Sequence, residues 1–323
     1  MHTGAVNLVT IDDITAAAAR IAGTAVRTPL LPCPWTTASD RPLWIKPESL
    51  QPVGAFKIRG AYNAVARLSD EQRARGVVAY SSGNHAQAVA YAARAFGVPA
   101  WIVVPEHTPR VKVEATRSHG AEVVLVPVGE RESRAHEIAE REGAALIPPF
   151  DHPDVIAGQG TIGLEIIADL PTVDVVLAPV SGGGLISGVA AAVKALKPDA
   201  QVWAVEPELA GDTAASLKAG KRVSWPIEDR NRTIADGLQS QPSDLTFAHE
   251  QALVDGIITV SEDEIRDAVR FLANRTRLVA EPSGATSVAG YLHHATELPK
   301  GNTVAILSGG NLDPETLHDL LKP

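Results

Sequence analysis

Short runs of β-branched residues alternate along this chain with segments that have the spacing of helices. In chain order these runs lie at 77–80, 101–104, 122–126, 174–177, 202–205 and 304–307. Alternation of this kind is typical of βα units, which build a parallel sheet covered by helices. The pattern therefore predicts an α/β protein with open parallel sheets.

A proline-rich stretch at 148–153 interrupts the alternation. Proline is unfavourable in helix interiors and in central strands. We therefore expect two α/β domains that meet near this stretch. The larger comprises residues 1–52 and 150–323, and a smaller domain of residues 53–149 is inserted into it. Ligands of open sheets bind at the carboxyl ends of the strands, so functional residues should directly follow strands, with a ligand between the domains.

Composition and charge narrow the function classes. Hydrophobic residues make up 45% and charged residues 21% of the 323 residues, as in ordinary soluble proteins. The net charge of −9 gives no support for a nucleic-acid-binding surface. Cys33 is the only cysteine, which excludes an internal disulfide and fits a reducing compartment. Because no apolar stretch approaches the roughly 18 residues of a membrane span, we expect a cytoplasmic protein without membrane or nucleic-acid partners.

A lysine lies at the start of one predicted helix. The apolar spacing of Ile58, Ala61, Tyr62 and Val65 predicts a helix over residues 56–68. Lys57 then occupies its first turn, which is the unfavourable end of the helix dipole for a cation. This position favours the neutral, nucleophilic amine that Schiff-base chemistry requires. Taken alone, such a lysine is more often an ordinary surface residue.

Two turns after predicted strands are suited to anions. Residues 81–87, SSGNHAQ, open a helix that should end near Gly97, and residues 181–185, SGGGL, open an alanine-rich helix. Free N–H groups at such helix starts bind carboxylates and phosphates. Each turn alone is also compatible with simple helix capping. A reactive lysine, a carboxylate site and a phosphate site together match pyridoxal phosphate with an amino acid attached.

With these segments in place, the sequence resembles the fold type II pyridoxal-phosphate enzymes, in particular the serine/threonine dehydratase and serine racemase family. The resemblance spans nearly the whole chain. Its markers are FKIRGAYN at 56–63, SSGNHAQA at 81–88, VIAGQGTIGLEI at 155–166, SGGGL at 181–185, ADG at 235–237 and LSGGN at 307–311. So many motifs in the same order are highly specific.

The resemblance implies a role for each matching residue. Lys57 would hold the cofactor as a Schiff base, and Asn84 would hydrogen-bond the ring hydroxyl. Ser308 would face the ring nitrogen, where a serine disfavours transamination. The remaining cofactor-binding residues implied by the family are Phe56, Ser181, Gly182, Gly183, Gly184, Leu185 and Gly237. The substrate carboxylate would be bound by Ser81, Ser82, Gly83, Asn84 and His85.

The implied reaction is the dehydration of a β-hydroxy L-amino acid. Lys57 would remove the Cα proton, the β-hydroxyl would leave, and the released enamine would hydrolyse to a 2-oxo acid and ammonia. Ser82 leaves a second activity open. It stands where serine racemases have a serine that can return a proton to the opposite face, so serine racemase or threo-3-hydroxyaspartate dehydratase are the alternatives. Phe150 instead resembles bacterial dehydratases, because animal racemases have a polar residue there.

The family also implies a bound divalent cation, a homodimer and the lack of a regulatory domain. Glu206, the carbonyl of Ala210 and Asp212 match the spacing of a divalent-cation site, with oxygen ligands suited to Mg²⁺, Mn²⁺ or Ca²⁺. Family members are usually dimers or larger, so a homodimer is expected. The chain ends soon after LSGGN, from which we expect no regulatory domain and no isoleucine feedback.

Three other classes are less consistent with the motifs. Cysteine synthase and cystathionine synthase types usually have threonine at the position of His85. A non-catalytic protein with this fold would be expected to lack Lys57. A nucleotide-binding dehydrogenase would carry the GxGxxG fingerprint, which the 181–185 turn does not have.

Overall fold

The chain folds around two separate parallel sheets. The computed structural model describes residues 6–36, 38–81, 83–108, 110–127 and 129–322. Within them the strands are β1 Leu31–Cys33, β2 Leu43–Pro47, β3 Val77–Tyr80, β4 Ala100–Pro105, β5 Glu122–Val126, β6 Ala145–Leu146, β7 Val173–Pro179, β8 Gln201–Pro207, β9 Gly256–Val260 and β10 Asn302–Leu307.

Helices connect most of these strands. They are α1 Ile11–Ile21, α2 Lys57–Arg67, α3 Asp70–Ala74, α4 Asn84–Phe96, α5 Arg110–Ser118, α6 Arg131–Glu142, α7 Pro153–Asp169, α8 Gly184–Leu196, α9 Asp212–Ala219, α10 Ile227–Arg230, α11 Asp244–Leu253, α12 Glu262–Phe271, α13 Pro282–His294 and α14 Pro314–Leu321. Short 3₁₀ turns and one π-helical turn, Leu272–Thr276, complete the regular structure.

The larger sheet has the strand order β1-β2-β10-β7-β8-β9, and the smaller has β5-β4-β3-β6. All pairings are parallel except that of β1 with β2. Each of the six β-branched runs coincides with a strand, so the predicted α/β architecture with parallel sheets is confirmed.

The larger sheet is buried on both faces. Along β7, Val175 and Leu177 belong to one hydrophobic cluster, whereas Val176 and Ala178 belong to another. All four are fully buried. Successive side chains of a strand point to opposite faces, so helices must cover both sides of the sheet. This explains why its strands are continuous apolar runs rather than alternating ones.

The N-terminal part of the chain is tied to its C-terminal part. Ala55 forms an antiparallel bridge with Gly309, and the N–H of Phe56 donates to the carbonyl of Ser308 over 3.0 Å. The FKIRG and LSGGN motifs, about 250 residues apart, are thereby neighbours. The strands of the smaller sheet lie between residues 77 and 146. The proposed domain limits at residues 52/53 and 149/150 stay a prediction.

No helix among the described residues is both long enough and apolar enough to cross a membrane.

Candidate active site

Lys57 is the first residue of α2, as the helical spacing predicted. Its Nζ donates a hydrogen bond of 2.7 Å to the carbonyl oxygen of Pro149, and it lies 5.1 Å from the centre of the Phe56 ring. Part of the residue's surface stays accessible. The proline-rich stretch therefore faces the lysine directly.

Burial lowers the pKa of the Lys57 amine to about 8. Burial is the cause of this shift, because it disfavours the charged form of the amine. A neighbouring carboxylate would have the opposite effect on the pKa. About one tenth of the amine is thus neutral at pH 7, far more than for a lysine with its usual pKa of about 10.4. This is the state that attacks a carbonyl carbon or accepts a proton.

The SSGN turn lies where the sequence placed it, between β3 and α4. The N–H of Gly83 donates to Oγ of Ser81 over 3.3 Å, and Gly83 precedes the first residue of α4, Asn84. The first N–H groups of a helix have no partner within the helix, so this end presents donors to an anion. Ser82 lies outside the described residues, and its predicted role stays a prediction.

His85 is buried and fixed in one protonation state. Burial lowers its pKa to about 3, and the positive charge of Lys57 acts in the same direction. Its Nε2 lies 2.8 Å from the carbonyl oxygen of Ile147. A carbonyl only accepts, so Nε2 carries the proton and Nδ1 is left as an acceptor. His85 therefore supports the turn as a neutral ring.

Asn84 belongs to a polar group that the sequence did not reveal. Its Nδ2 donates to Oε1 of Glu281 over 2.6 Å, and its Oδ1 accepts from Nδ2 of Asn311 over 2.8 Å. An amide nitrogen has two hydrogens, so Asn84 keeps one further N–H for a ligand. Burial, with a contribution from the charge of Asp236, raises the pKa of Glu281 to about 8. In the sequence, the one signal at Glu281 is that it precedes Pro282. A residue before proline indicates the start of a helix and says nothing about function.

The glycine-rich turn forms the N-terminus of α8, with Gly184 and Leu185 as its first residues. Gly183 has φ +86°, a conformation that favours glycine. A Cβ on Gly182 would lie 2.3 Å from Cδ1 of Phe150, so the absence of a side chain permits close packing there. The hydroxyl of Ser181 donates to the carbonyl of Ser240 over 2.9 Å and accepts from its N–H over 2.8 Å. The turn is therefore anchored, with N–H groups suited to a phosphate.

Gly237 and Ser308 are held by the helix that follows Glu281. The N–H of Gly237 donates to Oγ of Ser283 over 2.8 Å. The N–H of Ser308 donates to the carbonyl of Gly284 over 3.3 Å, and its own carbonyl accepts from Phe56. Ser308 is thus joined through Phe56 to the segment that carries Lys57.

A family profile described as "Pyridoxal-phosphate dependent enzyme" matches residues 21–309. The chain belongs to this family.

Relatives of this pyridoxal-phosphate dependent enzyme share most of its length. It is 47% identical over 283 residues to the L-threonine ammonia-lyase of Thermotoga maritima, covering 86% of this chain and 69% of the relative. It is 44% identical over 282 residues to the L-threo-3-hydroxyaspartate ammonia-lyase of Saccharomyces cerevisiae, covering 86% of each. The structure of maize serine racemase matches with a TM-score of 0.92 and 40% identity over 97% of both chains. The predicted family and its fold type II architecture are confirmed.

The residues present fit pyridoxal phosphate. A lysine with a lowered pKa follows Phe56, and an anchored glycine turn presents helix N–H groups. Among the described residues, Nδ2 of Asn84 makes one hydrogen bond, which leaves its second N–H for a ligand. These are the amine, the phosphate site and the hydrogen-bond donor that the cofactor requires. The assignment of individual residues to atoms of the cofactor stays a prediction.

A buried ion network lies behind Lys57 in this pyridoxal-phosphate dependent enzyme, around Arg59 in the first turn of α2. Arg59 donates Nε and Nη2 to Glu48 over 2.8 and 2.9 Å, and Nη1 and Nη2 to Glu165 over 2.6 and 2.9 Å. Lys46 donates to Glu165 over 2.6 Å. Two cations are thereby matched by two anions, which attach the start of α2 to β2 and α7. The sequence gave Arg59 no role, because its partners are distant along the chain.

The predicted cation site is a buried acidic region after β8. The carboxylate of Glu206 accepts the N–H groups of Thr213 and Ala214 over 3.0 and 2.9 Å. Asp212 begins α9, and both of its oxygens are buried without a hydrogen-bond partner among the described residues. Ala210, the third predicted ligand, is buried at the end of the preceding 3₁₀ turn. All three residues are buried, from the end of β8 to the start of α9.

Charge in this region is poorly compensated. Burial, followed by the charge of Asp212, raises the pKa of Glu206 to about 8, and burial raises the pKa of Asp212 to about 6 against an opposing effect of Arg230. Unpartnered buried carboxylate oxygens fit a hard divalent cation. Within the described part of the chain, no three His, Cys, Asp or Glu side chains are arranged to bind one ion together. A cation would therefore depend on two carboxylates, the Ala210 carbonyl and water.

Proposed function

We propose that this enzyme is an ammonia-lyase that dehydrates a β-hydroxy L-amino acid, serine or threonine, to a 2-oxo acid and ammonia. The observation that carries the proposal is the buried Lys57 amine, whose pKa is lowered to about 8, in a chain similar to ammonia-lyases over 86% of its length. When bound, pyridoxal phosphate withdraws electrons from Cα of an attached amino acid and so acidifies its proton.

Lys57 is the base in this proposal. An amine with a pKa of about 8 accepts a proton efficiently near neutral pH and can return it afterwards. The carbonyl of Pro149 orients Nζ in the resting protein. When Nζ removes the Cα proton, the electron pair of the broken C–H bond forms a Cα–Cβ double bond. The Cβ–O bond breaks, and the hydroxyl leaves as water with the proton that Nζ returns.

The two helix starts orient the substrate and the cofactor. The N-terminus of α4, with Ser81, Gly83, Asn84 and the neutral His85, binds the substrate carboxylate. The N-terminus of α8 binds the cofactor phosphate through the backbone N–H groups of the glycine turn. Ser308 faces the ring nitrogen and, as a neutral group, keeps the ring a weaker electron sink, which disfavours transamination.

Serine racemisation is the second candidate function. It is favoured by the similarity to maize serine racemase over 97% of both chains. In this alternative Ser82 returns a proton to the face of Cα opposite Lys57. The same arrangement would serve elimination from L-threo-3-hydroxyaspartate, the substrate in the name of the yeast relative.

We also propose a divalent cation at Glu206, Asp212 and the carbonyl of Ala210, supported by the unpartnered oxygens of Asp212. A homodimer is proposed from the family resemblance. A cytoplasmic location is proposed from the single cysteine, Cys33.

A substrate panel tests the proposed function. L-serine, D-serine, L-threonine and L-threo-3-hydroxyaspartate are each incubated with the purified enzyme, and both the 2-oxo acid and the enantiomer of the remaining amino acid are measured. We expect 2-oxo acid and ammonia in equal amounts from at least one L-substrate. The absence of 2-oxo acid from every substrate would refute the lyase. Ser82→Ala in the same assay should abolish racemisation and retain elimination, and surviving racemisation would exclude Ser82 as the second base.

A further inference from the structure

A third buried acid contacts the phosphate-binding turn near the predicted cation site. Glu250 is on α11, and a Cβ placed on Gly183 would lie 2.3 Å from its Oε1. Its carboxyl group is therefore in contact with the backbone of the glycine turn. Neither the sequence motifs nor the family resemblance drew attention to this residue.

Glu250 has no partner that would explain its burial. The residue is 1% exposed, and neither carboxyl oxygen has a hydrogen-bond partner among the described residues. Asp212 is in the same situation. Glu206 directly follows Val205, whose carbonyl accepts the N–H of Val180 over 2.9 Å, so the predicted cation site and the glycine turn are adjacent. Burial and the charges of Glu206 and Asp212 raise the pKa of Glu250 well above its usual value. Buried acids of this kind are normally paired or associated with a metal ion.

We propose that Glu250 is a third acidic residue of the cation site, bound to the ion through water, and that it links cation binding to retention of the cofactor phosphate. This inference rests on the cation site proposed above. Water must mediate the contact, because no three acidic side chains in the described ranges can bind one ion directly. Mg²⁺ and Mn²⁺ commonly keep several waters when bound to proteins.

The link to the phosphate follows from the position of Glu250. An ionised carboxylate at this position would compete with a phosphate for the positive end of the α8 dipole. A divalent cation bound nearby through water would compensate this negative charge. Cation binding should therefore strengthen cofactor binding, and by reciprocity the bound phosphate should strengthen cation binding.

Two measurements on the holoenzyme test the proposal. Mn²⁺ binding is titrated by electron paramagnetic resonance with MnCl₂ after removal of other cations. Cofactor loss is followed by the decay of its visible absorption during dialysis, with MgCl₂ or with EDTA. The test variant is Glu250→Gln, which keeps the shape and removes the charge. Asp244→Asn on the same helix is the matched control, because its side chain is 82% exposed, and Asp212→Asn removes a predicted direct ligand.

We expect Glu250→Gln to weaken Mn²⁺ binding by about 10- to 100-fold. We also expect the rates of cofactor loss in MgCl₂ and in EDTA to differ less in this variant than in the wild-type enzyme. Asp244→Asn should leave both unchanged, and Asp212→Asn should abolish Mn²⁺ binding. Mn²⁺ affinity within twofold of wild type, or an unchanged cation effect on cofactor loss, would overturn the proposal. If the wild-type enzyme binds no Mn²⁺, both the cation site and the role of Glu250 are refuted. The lyase proposal is tested separately, by the formation of 2-oxo acid.

Discussion

Removing one charge from the ion network behind Lys57 should strongly destabilise the enzyme. Glu48 is fully buried, and its carboxylate accepts four hydrogen bonds: two from Arg59, one from Thr28 over 2.8 Å and one from Gln51 over 3.0 Å. In Glu48→Gln one of the two oxygens becomes an NH₂ group. In either orientation of the amide, one hydrogen bond from Arg59 and one from a neutral donor, Thr28 or Gln51, are lost. The new NH₂ group then faces the N–H or O–H groups that made these bonds.

The magnitude follows from these contacts. A hydrogen bond to a charged group contributes about 1.5–3 kcal/mol and a neutral one about 0.5–1.5 kcal/mol, so the two lost bonds amount to about 2–4.5 kcal/mol. Breaking a buried ion pair by removal of one partner typically costs about 3–5 kcal/mol. We therefore expect the free energy of unfolding to fall by about 3–5 kcal/mol.

Urea unfolding of the holoenzyme at saturating cofactor, followed by circular dichroism, measures this change. The matched control is Glu71→Gln on α3, where the side chain is 85% exposed and lies 3.6 Å from Arg75. That substitution should change the free energy of unfolding by less than about 0.5 kcal/mol. A loss below about 1 kcal/mol in Glu48→Gln would refute the idea that the network stabilises the start of α2.

Two further predictions concern the binding turns. Gly183→Ala should release the cofactor at least about tenfold faster, because the new Cβ would meet Glu250 and because residue 183 has a positive φ. Gly220 also has a positive φ but has open space around it, so Gly220→Ala should leave cofactor release unchanged. Equal cofactor retention in the two variants would contradict this account. His85 has a folded pKa of about 3 against 6.5 for the free residue, so the unfolded chain binds the extra proton between these values. Stability is therefore full above about pH 6.5 and falls as the pH decreases, by up to about 1.4 kcal/mol per pH unit from this group. His85→Asn should make the free energy of unfolding less dependent on pH between about 6 and 4, and an unchanged slope would exclude a buried neutral His85.

The sequence predicted most of the sheet because its central strands are buried on both faces. Such strands are rich in apolar and β-branched residues, as in β7, and are easily recognised. By contrast, β6 has two residues and the antiparallel β1 has three, too few to produce a period. These strands depend on pairing with partners already in place rather than on their own residues.

The site was predictable where its chemistry is local and not where it depends on distant contacts. Lys57 and the glycine turn each have a signature within a few residues. Glu281 contacts Asn84 across 197 positions, and the Arg59 network reaches Glu165 across 106. Glu250 approaches Gly183 through the packing of α11 beside α8. No short-range pattern marks such contacts, since only the tertiary fold brings their members together.

Identification of the lysine that holds the cofactor tests the central claim most directly. The holoenzyme is reduced with borohydride and digested, and the modified peptide is identified by mass spectrometry. We predict that the cofactor is attached to Lys57 alone, and that Lys57→Ala yields neither the adduct nor 2-oxo acid while it retains Mn²⁺ binding. An adduct on another lysine, or an unchanged adduct in Lys57→Ala, would contradict the account.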